Sequence, residues 1–156
     1  IAEAVGRTRL VGFVMGTNDL AKEYRAIPTP DRLAFQAAFG ATLAAARAYD
    51  LIAIDGVFND IQDQAGLVAE CEQGRILGFD GKTLIHPSQL AASNTAFAPS
   101  EADVEQARAV IVAFADPENA GKGVLKVNGK MTELLHLEEA HRTVAVDQAI
   151  QARADA

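Results

Sequence analysis

The sequence predicts an α/β fold built on parallel strands, and three observations carry that reading. Residues 10–15 and 51–57 are apolar runs rich in valine, isoleucine and leucine without alternation, as in strands buried on both faces. An alanine-rich helical segment separates the two runs, and a second helical segment follows the later one. Strand–helix alternation of this kind joins parallel strands through right-handed crossovers. A doubly wound sheet with a ligand at its switch point and a portion of a (β/α)8 barrel both satisfy the pattern, and composition does not choose between them.

Each element has its own signal. Residues 1–6 read as the last turns of an amphipathic helix and do not begin with methionine, so sequence upstream is expected. The first strand, 10–15, is closed by Gly16. Thr29-Pro30-Asp31 offers a helix cap with proline at the first position, and the helix running to Tyr49 is expected to place Leu33, Ala37, Ala41 and Ala44 on one side. The second strand, 51–57, precedes a helix over 65–77 that Gly78 is positioned to end. Thr83-Leu84-Ile85 is expected as a third, shorter strand, stopped by His86-Pro87 before a turn that opens another helix.

The pattern then changes. Ser100 and Asp103 form a capping signal before a helix to Ala115, and residues 116–123 read as a loop. Val124-Leu125-Lys126-Val127 followed by Asn128-Gly129 is a hairpin signal, with Lys130-Met131 starting the return strand and a final helix running from about Glu133 past Ala149. The expected division is therefore residues 1–98, carrying three strand–helix units, and 99–156, a helix–hairpin–helix appendage.

With 156 residues, 49% of them hydrophobic, the chain can bury a real core. The net charge of −7 argues against a nucleic-acid groove or a polybasic membrane patch, while leaving room for a local anion pocket. No apolar run approaches the ~18 residues of a membrane span. A single cysteine, Cys71, excludes disulfide frameworks and cysteine-rich metal sites within the chain and fits a cytoplasmic location. Gly121-Lys122-Gly123 lacks the third glycine of a dinucleotide fingerprint and lies before a hairpin, and Lys122, Lys126 and Lys130 read as a solvated edge. No nucleophile elbow, zinc motif or nucleotide-type phosphate loop is present.

The positions that carry chemistry cluster after strands. In Gly16-Thr17-Asn18-Asp19, glycine permits a tight turn whose amides can face an anion, and Asp19 either caps the next segment or ligates a hard metal. His86 is held extended by Pro87 and can donate to a ligand or satisfy buried backbone groups. Asp55 lies within an apolar strand, where it serves as polar wiring or contacts a ligand; Asp63 is placed to cap the following helix, and Asn59 and Asp60 lie nearby. Glu133 suits a helix start on electrostatic grounds alone.

Gly16-Thr17-Asn18-Asp19, the stretch Gly78-Phe79-Asp80-Gly81-Lys82-Thr83-Leu84-Ile85-His86-Pro87-Ser88-Gln89 and Asn128-Gly129-Lys130-Met131-Thr132-Glu133 together resemble the HpcH/HpaI aldolases, the citrate lyase beta-chain and malyl-CoA lyase-like family. The resemblance covers residues 10 to about 149 and favours the barrel, of which this chain would supply the C-terminal three strand–helix units. It implies a magnesium-dependent lyase cleaving malyl-, citramalyl- or citryl-CoA to acetyl-CoA and a 2-oxo acid. Asp19 would be a metal ligand, with a second carboxylate upstream. Gly16, Thr17 and Asn18 would hold the substrate, Ile85, His86 and Pro87 the coenzyme A arm, and Glu133 would act as acid–base catalyst in a neighbouring subunit of a homo-oligomer. In relatives with this appendage the resemblance implies an acidic residue at that place, often aspartate, for which Glu133 would substitute. A malyl-CoA thioesterase, or a non-catalytic assembly or binding module, are the other functions the resemblance admits. The chain alone is expected to be inactive.

Overall fold

The computed structural model describes residues 9–154, which divide into two compact units meeting between Phe97 and Ala98. The helical turns expected over residues 1–6 lie outside the described residues.

In the first unit a three-stranded parallel sheet runs in the order β1 (Gly12–Val14), β2 (Ile52–Asp55), β3 (Gly81–Lys82). The register pairs Phe13 with Ala53 and Asp55 with Lys82. Between the strands lie α1 (Thr17–Tyr24), α2 (Gln36–Ala48) and α3 (Gln64–Leu77), and α4 (Leu90–Phe97) follows the third. Period-two alternation sorts the sheet residues. Phe13, Met15 and Ala53 join Phe35, Phe39, Leu43, Ala46, Leu51 and Phe79 in one core, where Phe39 and Phe79 meet edge to face at 5.4 Å. Val14 and Ile52 point to the opposite side and stay 65% and 51% exposed. The sheet is thus packed on one face and bare on the other, an unusual condition for parallel strands.

Three local expectations are corrected. The α2 region buries Phe35, Phe39, Leu43 and Ala46, while Leu33, Ala37, Ala41 and Ala44 are exposed. The cap expected at Thr29 is also displaced. Arg32 adopts a left-handed conformation (φ 52°) to turn its guanidinium inward, so only a 3-10 turn (Leu33–Phe35) precedes α2, and Asp31 receives the Leu33 N–H at 3.2 Å. The third strand is Gly81–Lys82 rather than Thr83-Leu84-Ile85. Its pairing with β2 runs out where the Thr83 N–H reaches the Asp55 carbonyl at 3.0 Å, and the Ile85 N–H is taken at 3.0 Å by the Gln89 side chain.

Other signals hold. Gly78 ends α3 in the left-handed region (φ 101°), which glycine enters without steric cost, and Asp63 caps the same helix by accepting the Gly66 N–H at 2.8 Å.

In the second unit, Ser100 and Asp103 form a capping box at the start of α5 (Glu101–Ala115). The loop 116–123 contains a 3-10 turn at Pro117–Asn119. β4 (Val124–Val127) and β5 (Lys130–Glu133) pair antiparallel around Asn128 (φ 48°) and Gly129 (φ 81°), both left-handed as a tight two-residue hairpin turn requires. α6 (Leu134–Ala154) packs on α5 through a core of Ala107, Val110, Val127 and Ala140. Glu133 ends β5 opposite Val124 rather than opening the helix. No helix among the described residues is long and apolar enough to cross a membrane.

Candidate active site

Parallel strands deliver their following loops to one edge, and three such loops meet at the C-terminal edge of this sheet. The first is the turn from β1 into α1. Gly16 precedes the helix with no side-chain cap, so the first-turn amides, those of Thr17 and Asn18 among them, are left to other acceptors. Asp19 lies in that first turn, exposed, its carboxylate folded over Gly16: a Cβ added at Gly16 would meet Asp19 Oδ2 at 3.3 Å. α1 was not among the expected elements: it has only eight residues, and of its short stripe Thr17, Leu20, Ala21 and Tyr24 only Thr17 is buried, with Leu20 and Ala21 packed part-buried against the core.

The second loop, residues 56–63, follows β2. Gly56 faces Thr17 so closely that a Cβ would lie 2.5 Å from Thr17 Oγ1, 2.6 Å from its Cγ2 and 3.1 Å from the Met15 carbonyl oxygen. Asn59 exchanges two amide hydrogen bonds with Asn18, at 3.1 and 2.8 Å. Gly56→Ala should therefore destabilise the protein by about 1–3 kcal/mol through overpacking. Adding Thr17→Ala, which removes both clashing γ atoms, should restore most of the loss in denaturant titrations; an unrepaired loss would place the strain elsewhere.

The third is the turn after β3. His86 is extended (φ −146°, ψ 144°), as Pro87 requires, and caps the 3-10 turn Pro87–Gln89: its Nδ1 accepts the Ser88 N–H at 3.2 Å and lies 2.8 Å from Ser88 Oγ. In the neutral ring this leaves the proton on Nε2. Ile85 and His86 are exposed at this edge.

Beneath these loops lies a buried ionic cluster. Asp55 is fully buried and receives the Arg32 Nη1 at 2.7 Å on both oxygens, Lys82 Nζ at 3.2 Å and the Gly56 N–H at 2.7 Å. Glu70 accepts Lys82 at 2.5 Å, and Arg32 also donates to Gln73 while its guanidinium lies 4.8 Å from the Phe39 ring centre. Two cations and two carboxylates balance, as a buried cluster must. Asp55 points towards α3, where a Cβ on Gly74 would meet its Oδ2 at 2.8 Å, so it wires the fold from the helix side of the sheet. Nothing in the strand pattern identified Arg32 or Lys82 as its partners. Cys71 is buried beside the cluster; burial pushes its thiol up, away from the thiolate a nucleophile needs.

Among the described residues no three histidine, cysteine, aspartate or glutamate side chains converge as a metal cage. Asp19 nevertheless suits one position around a hard cation: it is an exposed carboxylate in the first turn of α1, beside amides that no side chain caps. Magnesium takes one or two protein carboxylates in that manner. Glu133 belongs to the second unit, half-buried, with its N–H donated to His136 Nδ1 at 2.8 Å.

Comparison with known proteins agrees with the geometry at the level of family. The HpcH/HpaI aldolase/citrate lyase family profile matches residues 1–87. The chain is 54% identical over 151 residues to a (3S)-malyl-CoA thioesterase of Cereibacter sphaeroides (strain ATCC 17029 / ATH 2.4.9), which covers 97% of this chain and 53% of that protein. It is 34% identical over 125 residues to citrate lyase subunit beta of Escherichia coli (strain K12), covering 80% and 41%. Among solved structures, CitE of Mycobacterium tuberculosis in complex with magnesium, acetoacetate and coenzyme A superposes with a TM-score of 0.66 at 29% identity, over 86% of this chain and 52% of that one. The chain spans about half the length of the curated relatives it matches. By its profile match and its identity to these relatives, the chain belongs to the HpcH/HpaI aldolase/citrate lyase family.

Proposed function

We propose that this chain is the metal-turn and coenzyme A-turn portion of a magnesium-dependent enzyme that hydrolyses the thioester of a short 3-hydroxy acyl-CoA with a free carboxylate, (3S)-malyl-CoA being the first candidate. The observation that carries the reading is the shared edge. An exposed carboxylate with uncapped helix amides lies on one turn, an extended histidine–proline turn lies two strands away, and one loop bonds to both. Identity of 54% to the thioesterase against 34% to the citrate lyase subunit favours hydrolysis over the carbon–carbon cleavage expected from sequence.

The reading takes the first unit as part of a (β/α)8 barrel. Sequential strand order, helices packed against one face and the bare Val14 and Ile52 on the other support it, since that face lines the packed interior when a barrel closes. A whole barrel takes ~250 residues, so activity would belong to a longer protein carrying this chain.

Magnesium, when bound, supplies a Lewis acid that draws charge from the substrate's oxygens. Asp19 would hold it as one carboxylate ligand. The amides of Thr17 and Asn18 would donate to the substrate carboxylate, as uncapped helix amides do for anions. Ile85, His86 and Pro87 would line the coenzyme A arm. Glu133, contributed by a neighbouring subunit of at least a dimer, would take a proton from the water that attacks the thioester carbon. The new carbon–oxygen bond forms as the carbon–sulfur bond breaks, and the proton ends on the departing coenzyme A sulfur. Soluble, cytoplasmic operation fits such a substrate.

Carbon–carbon cleavage remains the second reading, favoured by the citrate lyase relatives. Incubating the full protein with magnesium and (3S)-malyl-CoA and identifying products by mass spectrometry separates the two. Free coenzyme A with malate is the expected result; acetyl-CoA with glyoxylate would replace hydrolysis by lysis, and no turnover would favour a binding module.

A further inference from the structure

Gln89 is fully buried, yet it sits in a turn at the edge of the sheet, and both ends of its amide are used. Its Oε1 accepts the Ile85 N–H at 3.0 Å and its Nε2 donates to the Phe58 carbonyl at 2.9 Å. Only one orientation of the amide satisfies both partners. The next residue of the same loop, Asn59, makes the two-way amide exchange with Asn18 in the first turn of α1. Two adjacent residues, Phe58 and Asn59, therefore connect the turn holding Ile85 to the turn holding Asp19, by three hydrogen bonds through side-chain amides.

We propose that Gln89 and Asn59 are positioning residues that fix the spacing between the Asp19 turn and the Ile85-His86-Pro87 turn, so that one acyl-CoA molecule reaches both at once. This rests on the function proposed above. A ligand that occupies one turn does not register the spacing, whereas a molecule bound at both ends does, because its second contact is intramolecular and holds only when the distance is right. The brace therefore acts on the intact thioester and leaves its separate parts alone. A purely structural buried glutamine would not make that distinction.

The test uses the full protein and two variants, Gln89→Met, which keeps volume but removes both bonds, and Asn59→Ala, an exposed change that leaves the core untouched. Three quantities are measured for each: Mn2+ affinity as a probe of the Asp19 turn, inhibition by free coenzyme A as a probe of the other turn, and kcat/KM for malyl-CoA. Expected is a loss of kcat/KM on the order of 10- to 100-fold with Mn2+ and coenzyme A affinities within about 2-fold of the parent, since misplacement by an ångström costs about that much in rate. Equal losses in all three quantities, or no loss of kcat/KM in Asn59→Ala, would overturn the proposal. A parent protein that binds neither Mn2+ nor coenzyme A would instead overturn the function on which it rests, and the brace with it.

Discussion

Asp19→Ala is expected to lower kcat/KM of the full protein on the order of 10³-fold, because a lost metal ligand removes several kcal/mol of charge stabilisation in the transition state. Folding should be nearly untouched: the side chain is exposed and caps nothing, and surface changes of that kind stay within about 0.5 kcal/mol. The pairing of a large kinetic loss with an unchanged unfolding midpoint is the informative outcome. Steady-state kinetics alongside denaturant titration would read both, and Mn2+ titration would locate the defect. A variant that retains activity would return Asp19 to an ordinary first-turn carboxylate, favoured there by the helix dipole.

Asp55→Ala is expected to do the reverse, unfolding the protein before it alters chemistry. The substitution leaves Arg32 and Lys82 buried with only Glu70 between them, and removing one partner from a buried ionic cluster costs about 3–5 kcal/mol. That is a large part of the stability of most domains. Arg32→Met combined with Asp55→Ala should recover part of the loss, because it removes the stranded cation and fills the space beside Phe39. The measurement is the shift in urea midpoint for single and double variants. A loss below about 1 kcal/mol in Asp55→Ala would mean that water reaches the cluster and that the carboxylate is not the centre of the wiring.

The contrast between these aspartates explains how much the sequence disclosed. The strand runs around Phe13 and Ala53 were legible because the residues of the bare face, Val14 and Ile52, are as apolar as those packed in the core, which leaves each run unbroken. Gly78, Asp63, the Ser100–Asp103 box and the Asn128-Gly129 turn were legible because local backbone geometry demands those residue types. What stayed hidden depends on contacts distant in sequence. Arg32 breaks its own helix to reach Asp55, 23 residues away; the buried face of Phe35, Phe39, Leu43 and Ala46, by contrast, follows a helical spacing present in the sequence itself. The third strand ends early because Gln89 takes the Ile85 N–H, an interaction no periodicity signals. Helix α1 is only eight residues long, and its stripe of Thr17, Leu20, Ala21 and Tyr24 is too short to stand out from the polar residues around it. For the site, the positions of Asp19 and His86 after strands could be read directly, whereas the roles of Asn59 and Gln89 emerged only from their bonding partners.

A crystal structure of the full protein with magnesium and a non-hydrolysable malyl-CoA analogue would decide whether Asp19 holds the metal. Expected is an Asp19 carboxylate oxygen about 2.0–2.1 Å from the metal, the distance magnesium demands, with the ligand carboxylate near the Thr17 and Asn18 amides and the coenzyme A arm along Ile85-His86-Pro87. Magnesium bound elsewhere, with Asp19 facing open solvent, would contradict it.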